Sequence, residues 1–280
     1  LNSFNNIILN KLNQLNNGGE FPPLLLCISG GIDSMVMLNI FTQLKNEYNI
    51  SIFISHINYQ IHDNSKKAEN LIQSYCECND INYQINNVQI NNKSNFEAVA
   101  RNKRYEIFNS LLISERLKFI CTAHHFDDQI ETLWMKHKKK APITSFRGIL
   151  ESSNNIWRPL LDIKKNEILK YARAYNINWV EDSTNSDMTF LRNKIRIQDI
   201  PKIKKENPLL IKELLKLKKI ADLLFIKTSS VKQKLIESKE IVKIQKPLSY
   251  KIKLKSLLSE EDNIRKILIQ SILNEFGFNL

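Results

Sequence analysis

Cysteine is scarce and scattered in this 280-residue chain, at Cys27, Cys76, Cys78 and Cys121. That makes no disulfide framework of the kind that staples small secreted domains. Cys27 and Cys121 sit in apolar, strand-like runs and read as small buried hydrophobes. Cys76-Glu-Cys78 lacks the two-residue spacer of zinc and iron–sulfur sites, and no second pair follows, so no metal site is expected there. No apolar run approaches the length of a membrane span. The first residues, Leu1-Asn-Ser-Phe-Asn-Asn-Ile-Ile-Leu-Asn-Lys-Leu12, pattern as an amphipathic helix. They have neither the basic start of a signal peptide nor the arginine-rich character of a transit peptide. The expectation is a soluble cytoplasmic protein, or one of the plastid stroma if the chain is organelle-encoded. There is no internal repeat. Acid is in deficit, with 29 Asp/Glu against 41 Lys/Arg and a formal net charge of +12.

What is present suffices for a core: 42% of residues are apolar, and the length suits one large or two modest domains. Residues 201–280 hold eighteen Lys/Arg against nine Asp/Glu, nine of the twelve net charges. A basic tail fits a polyanionic partner such as nucleic acid; the other reading is a solvated face in a chain rich in Lys, Ile and Asn. Strand-like runs recur at Leu24–Ile28, Ile50–Ile57, Asn82–Ile90 and Lys118–Ala123. Helical patterns at Met35–Glu47, Ser65–Cys78 and Phe96–Ser114 fill the gaps. This alternation predicts an α/β fold, a Rossmann-like doubly wound parallel sheet with helices on both faces. A domain boundary is placed near residue 203, in the lysine-rich stretch between Pro201 and Pro208. Residues 204–280 follow as a basic, mainly helical domain, with a helix over Leu209–Ile226 and short strand-like runs at Ile241–Ile244 and Tyr250–Leu254.

Polar clusters fall at the ends of three strands, where such sheets bind ligands. The first is Ser29-Gly30-Gly31-Ile32-Asp33-Ser34, between a buried strand and a helix start. It lacks the Gly-Lys-Ser/Thr ending of a Walker A loop and the third glycine of the dinucleotide fingerprint. Two glycines admit an anion close to the backbone, and the helix N-terminus attracts it, so the segment reads as a phosphate cradle. The second cluster is His56-Ile-Asn-Tyr-Gln-Ile-His62. The third is Thr122-Ala-His-His-Phe-Asp-Asp-Gln-Ile-Glu-Thr132, where Asp127, Asp128 and Glu131 open a helix. Carboxylates facing a phosphate loop are natural Mg²⁺ holders, though acids at a helix start are also simple caps.

Ser-Gly-Gly-x-Asp-Ser is the signature of the PP-loop ATP pyrophosphatases. Further stretches narrow the resemblance: Asn95-Phe-Glu-Ala-Val-Ala-Arg-Asn-Lys-Arg-Tyr105, Thr122–Thr132, Trp157-Arg-Pro-Leu-Leu161, Val180-Glu-Asp-Ser-Thr-Asn-Ser-Asp187 and Phe190-Leu-Arg-Asn-Lys-Ile-Arg196. From about residue 24 to 200 the chain resembles the tRNA(Ile)-lysidine synthases, in the family's order, and it looks like a short form. The resemblance implies ATP-dependent ligation of lysine to C2 of the wobble cytidine of the CAU-anticodon isoleucine tRNA, through an adenylated base. It implies ATP and Mg²⁺, with Ser29, Gly30, Gly31, Ile32, Asp33, Ser34 and His56 toward ATP and Asp33 and Asp127 toward the metal. Asp33, Asp128 and Glu131 are the catalytic candidates; sequence does not decide which of Asp128 and Glu131 holds the lysine amine. Arg101, Arg104, Arg158, Arg192, Lys194 and Arg196 are the RNA-binding candidates, beside Glu97 and Tyr105. Asp182, Ser183 and Asn185 read equally well as helix-capping and turn chemistry. A homodimer is left open.

The chain departs from that pattern at Lys138-Lys-Lys-Ala-Pro-Ile-Thr-Ser145, where the family carries a basic-Gly-Ser-Gly turn, and at Tyr59, where a second histidine is common. Two alternatives are carried: a PP-loop tRNA 2-thiolation enzyme, and a tRNA-binding protein that has lost catalysis.

Overall fold

The computed structural model describes residues 2–16, 18–60, 63–90, 96–181, 188, 191–245 and 248–275. His62, Asp182, Ser183 and Asn185 lie outside the described residues, as does the Glu97 side chain. The chain divides into two compact units, Leu1–Gln129 with Ile149–Ile197, and Ile130–Gly148 with Gln198–Leu280.

The first unit opens with α1 (Asn2–Leu15), β1 (Leu24–Cys27), α2 (Ile32–Tyr48), β2 (Ile52–Asn58), α3 (Asp63–Cys78), β3 (Tyr83–Asn87), α4 (Phe96–Ser114) and β4 (Phe119–Thr122). The start of α5 (Phe126–Lys138), β5 (Ser152–Ser153), β6 (Ile156–Trp157), α6 (Lys165–Ala174) and α7 (Leu191–Lys194), which runs into a π-helical turn, complete it. The sheet order is β3-β2-β1-β4-β6-β5, parallel except for β5. The order reverses between β1 and β4, the point at which an open α/β sheet leaves a ligand crevice at its carboxyl edge.

The pleat explains why Leu24-Leu-Leu-Cys27 is apolar throughout. Successive side chains face opposite sides. Leu24 and Leu26, with Phe119 and Cys121 of β4, enter the larger core with α2. Leu25 and Ile120 enter a second core with Phe108 and Leu111 of α4. A strand covered on both faces has no polar positions. Helix α2 is buried almost all round, and its Phe41 meets Trp157 edge to face at 5.9 Å. Strands β5 and β6, two residues each, are too short to leave a periodic signal.

The second unit holds the rest of α5, a 3₁₀ turn at Ile143–Arg147, α8 (Ile200–Glu206), α9 (Pro208–Glu237), the antiparallel pair β7 (Ile241–Gln245) and β8 (Leu248–Ile252), α10 (Leu254–Leu258) and α11 (Asp262–Glu275). The helix expected to end at Ile226 runs eleven residues further, because Thr228 and Leu235 keep its buried stripe going. One core joins Leu133 and Phe146 to Leu214 and Ala221; another joins Leu235 and Ile241 to Leu268 and Ile272. The Lys138–Ser145 departure falls here. Ala141 and Ile143 pack with the first of these cores, and Arg147 bonds Asp222 at 3.3 Å and lies over the Phe225 ring. Where the family pattern has a glycine turn, this chain has a packed element.

Candidate active site

Strand β1 delivers the Ser29–Ser34 loop, and its two glycines differ. Gly30 has φ +87°, and a Cβ there would lie 2.7 Å from the Ala68 Cβ, so only glycine fits. Gly31 has an ordinary extended backbone as the N-cap of α2 and would meet nothing closer than Ser29 Oγ at 3.5 Å. Its freedom serves whatever approaches the loop. The two serines also divide their work. Ser34 is buried; its hydroxyl donates to the Gly31 carbonyl at 2.8 Å and accepts the Ser29 N–H at 3.2 Å, bracing the turn. Ser29 is exposed, with its hydroxyl toward the Gly31 N–H. The first helical bond of α2 runs from Met35 N–H to the Gly31 carbonyl. The N–H groups of Ile32, Asp33 and Ser34 are then left without an intrahelical acceptor, the arrangement that binds anions.

His56, at the end of β2, is buried and sets its Nδ1 2.8 Å from the Ile28 carbonyl, one residue before the loop. Burial holds its pKa below the ordinary value, opposed by that carbonyl and by Glu69. That contact ties β2 to the residue that follows β1. Its Nε2 is buried with no hydrogen-bond partner among the described residues.

Across the switch point, the segment after β4 brings in charge. Asp128 is nearly buried, and one carboxylate oxygen accepts the His125 N–H at 2.9 Å. Its other oxygen meets Arg192 at 3.2 Å and Arg196 at 3.1 Å. Burial pushes the carboxyl up, but His125, Arg192, the His125 N–H and His124 outweigh it, and the group stays below its usual value. Arg192 and Arg196, four residues apart, share the face turned to Asp128; Lys194 between them is exposed. His124 is pushed down to about 4, by burial first and then by Arg158, Arg192 and Arg101, against the pull of Asp128. Arg158 is itself buried, with Nη1 on the Leu150 carbonyl at 2.7 Å. Arg101 lies over the Tyr105 ring, and Arg104 over Tyr59, whose hydroxyl it also contacts at 3.2 Å. Arg192 and Arg196 thus hold Asp128, and Arg101, Arg158 and Arg192 act on His124 through their charge. Lys194 stays outside this cluster. Glu131, one turn further along α5, is buried in the second unit.

A residue that the sequence reading passed over joins the two clusters. Lys165, first in α6, places Nζ 2.6 and 2.7 Å from the two Asp33 oxygens, and its backbone N–H donates to Asp127 at 2.9 Å. The sequence signals only the helix: Ile168, Tyr171 and Ala172 recur at helical spacing after Lys164-Lys165, and Glu167 bonds back to the Lys164 N–H at 2.9 Å. Asp33 and Asp127 are hard oxygen donors beside a phosphate loop. Mg²⁺ needs only one or two carboxylates plus phosphate oxygens, so this donor set suits it. Among the described residues no group of three His, Cys, Asp or Glu is arranged to hold a metal by itself. All four cysteines are free, and no helix among the described residues is long and apolar enough to cross a membrane.

Comparison with known proteins agrees with this geometry. Residues 4–203 match the family described as the PP-loop domain. A tRNA(Ile)-lysidine synthase of Enterococcus faecalis is 32% identical over 190 residues, covering 66% of this chain and 41% of that one. The synthase of Staphylococcus aureus is 33% identical over 222 residues, covering 75% and 51%. The chain thus spans about half the length of these curated relatives or less. Among solved structures, the U34-tRNA thiolase of Methanococcus maripaludis, carrying its [4Fe-4S] cluster, superposes with a TM-score of 0.59 at 18% identity. That match covers 79% of this chain and 78% of the thiolase, and it is a likeness of fold.

Proposed function

Since the chain belongs to the PP-loop domain family, we propose that it is a ligase that adenylates the wobble cytidine of the CAU-anticodon isoleucine tRNA and joins lysine to it. The observation that carries this reading is the meeting, at one sheet switch point, of a phosphate loop with a carboxylate clasped by two arginines. The names of the relatives support the choice of substrate.

In the first step the cytosine C2 oxygen attacks the α-phosphate of ATP, and pyrophosphate leaves. The N–H groups of Ile32, Asp33 and Ser34 and the Ser29 hydroxyl receive the departing phosphates, with Gly31 leaving room for them. Mg²⁺, held by Asp33 and Asp127, would offset charge on the phosphates. In the second step the lysine ε-amine attacks C2 and AMP leaves, with one proton lost from the amine. Asp128, held in its ionised form, suits the anchoring of an ammonium better than the taking of a proton; Glu131 is left as the candidate acceptor. The exposed Arg101 and Arg104 offer guanidinium groups to RNA phosphate and to a splayed-out base, and the part-exposed Arg192 and Arg196 would do so from their places on Asp128. Lys194 and the lysines of residues 204–280 add a nonspecific attraction to the tRNA backbone.

The test is incubation with ATP, labelled lysine and isoleucine tRNA bearing a CAU anticodon. One lysine label on the RNA per AMP released is expected. AMP release with no lysine on the RNA would overturn the ligation.

A further inference from the structure

We propose that Lys165 binds the pyrophosphate portion of ATP, and that its bond to Asp33 is the position it leaves when the nucleotide's divalent cation takes that carboxylate. The inference rests on the reading of Ser29–Ser34 as the ATP loop and goes beyond it in naming a cation that neither motif nor family match assigns.

Three observations lead there. First, Asp33 sits in the first turn of α2, where the phosphates are to bind. An anion facing a polyanion is repelled unless a cation stands between them. Lys165 already stands there, with both Asp33 oxygens within 2.7 Å of its Nζ. Those are the oxygens a metal would need, so the two cations exclude each other on Asp33. Second, Lys165 can move without disturbing the fold. Its backbone is fixed by Asp127, while its side chain is 33% exposed and ends in a flexible four-carbon stem. Third, Lys164 and Lys165 open α6 at the helix end whose dipole disfavours cations. A lysine held against a local rule is more readily explained by a ligand than by stability. Arg192 and Arg196 are paired with Asp128 and Arg158 with the Leu150 carbonyl, while Lys165 is paired with the carboxylate of the loop itself, which His125 Nε2 approaches only to 3.7 Å.

The experiment measures binding by calorimetry on the full chain, with α,β-methylene-ATP, inorganic pyrophosphate and AMP as probes. Lys165→Met is expected to weaken the ATP analogue and pyrophosphate about tenfold or more, the loss of a charge-assisted contact, and to leave AMP within about twofold. Lys165→Gln, which can still donate to Asp33, should show the same pattern without leaving that carboxylate bare, and Lys165→Arg should recover most of the affinity. An equal loss for AMP, or no loss for pyrophosphate, overturns the proposal. Wild-type protein that binds neither the ATP analogue nor pyrophosphate overturns the reading of the loop itself, a separate result.

Discussion

In the first unit, ionised groups are drawn inward and matched: Asp128 lies between Arg192 and Arg196, and Asp33 faces Lys165. In the second, Lys212, Lys216 and Lys219 stand exposed along one face of α9, beside partly buried pairs such as Asp222 with Lys218 at 2.7 Å and with Arg147 at 3.3 Å. The inward arrangement costs desolvation, and breaking one partner leaves a charge unpaired. The exposed one costs little and fixes nothing. The first suits a reaction that needs atoms at set positions; the second suits a long polyanion gripped anywhere along its backbone.

The sharpest way to break this contrast is Asp33→Ala. With the carboxylate gone, ATP-dependent AMP release is expected to fall by more than about 100-fold, while tRNA affinity in a filter-binding assay changes by less than about threefold. Equal collapse of tRNA binding would show that the two charge systems are not separate. The glycines give the next largest effect. Gly30→Ala forces a Cβ into Ala68 at positive φ and should destabilise the protein by about 1–3 kcal/mol in urea titrations. Gly31→Ala should fold within about 0.5 kcal/mol of wild type yet bind ATP more weakly. If both variants unfold alike, the loop is merely a packed turn.

A smaller effect comes from pH. His124 has its folded-state pKa near 4, below the unfolded value of about 6.5. Its contribution to stability is complete above about pH 6.5 and is lost as pH falls toward 4, because the unfolded imidazole takes up the proton first. His56, also held down by burial, acts in the same direction. The wild type should therefore lose stability between pH 7 and pH 5, and His124→Gln should lose about 1–2 kcal/mol less over that interval. Identical slopes for the two proteins would mean that His124 is solvated and outside the arginine cluster.

These effects fall where the sequence was most readable, and for a physical reason. Leu24–Cys27 announces a strand because both its faces are buried, and Ser29–Ser34 announces a turn because Gly30 admits no Cβ. Asp128 was visible from its place at a helix start, but its clasp by Arg192 and Arg196 was not, since some sixty residues separate the partners. Lys165 was missed because a lysine at a helix start carries no motif, and only the fold brings it to Asp33. The length of α9 was underestimated because its polar-faced second half shows the buried stripe only at Thr228 and Leu235. The packing of Ala141, Ile143 and Phe146 likewise depends on partners in α9, beyond the reach of a local reading.

The exposed lysines carry the smallest expected effect and the cleanest discrimination. Lys212, Lys216 and Lys219 are spaced four and three apart, so one helix face presents all three. If they lie along the tRNA backbone, each neutralised phosphate releases condensed counterions, and the logarithm of affinity falls linearly with the logarithm of salt. Replacing all three by Gln removes charge without adding bulk to a buried position and should leave stability within about 0.5 kcal/mol. The tRNA salt slope should become shallower by about two to three, for a slope near 0.9 per phosphate contact in duplex and about 0.7 in single strands. ATP-analogue binding, which depends on the matched charges of the first unit, should not change. An unaltered salt slope would make this lysine face solvated surface and leave RNA binding to the arginines around His124.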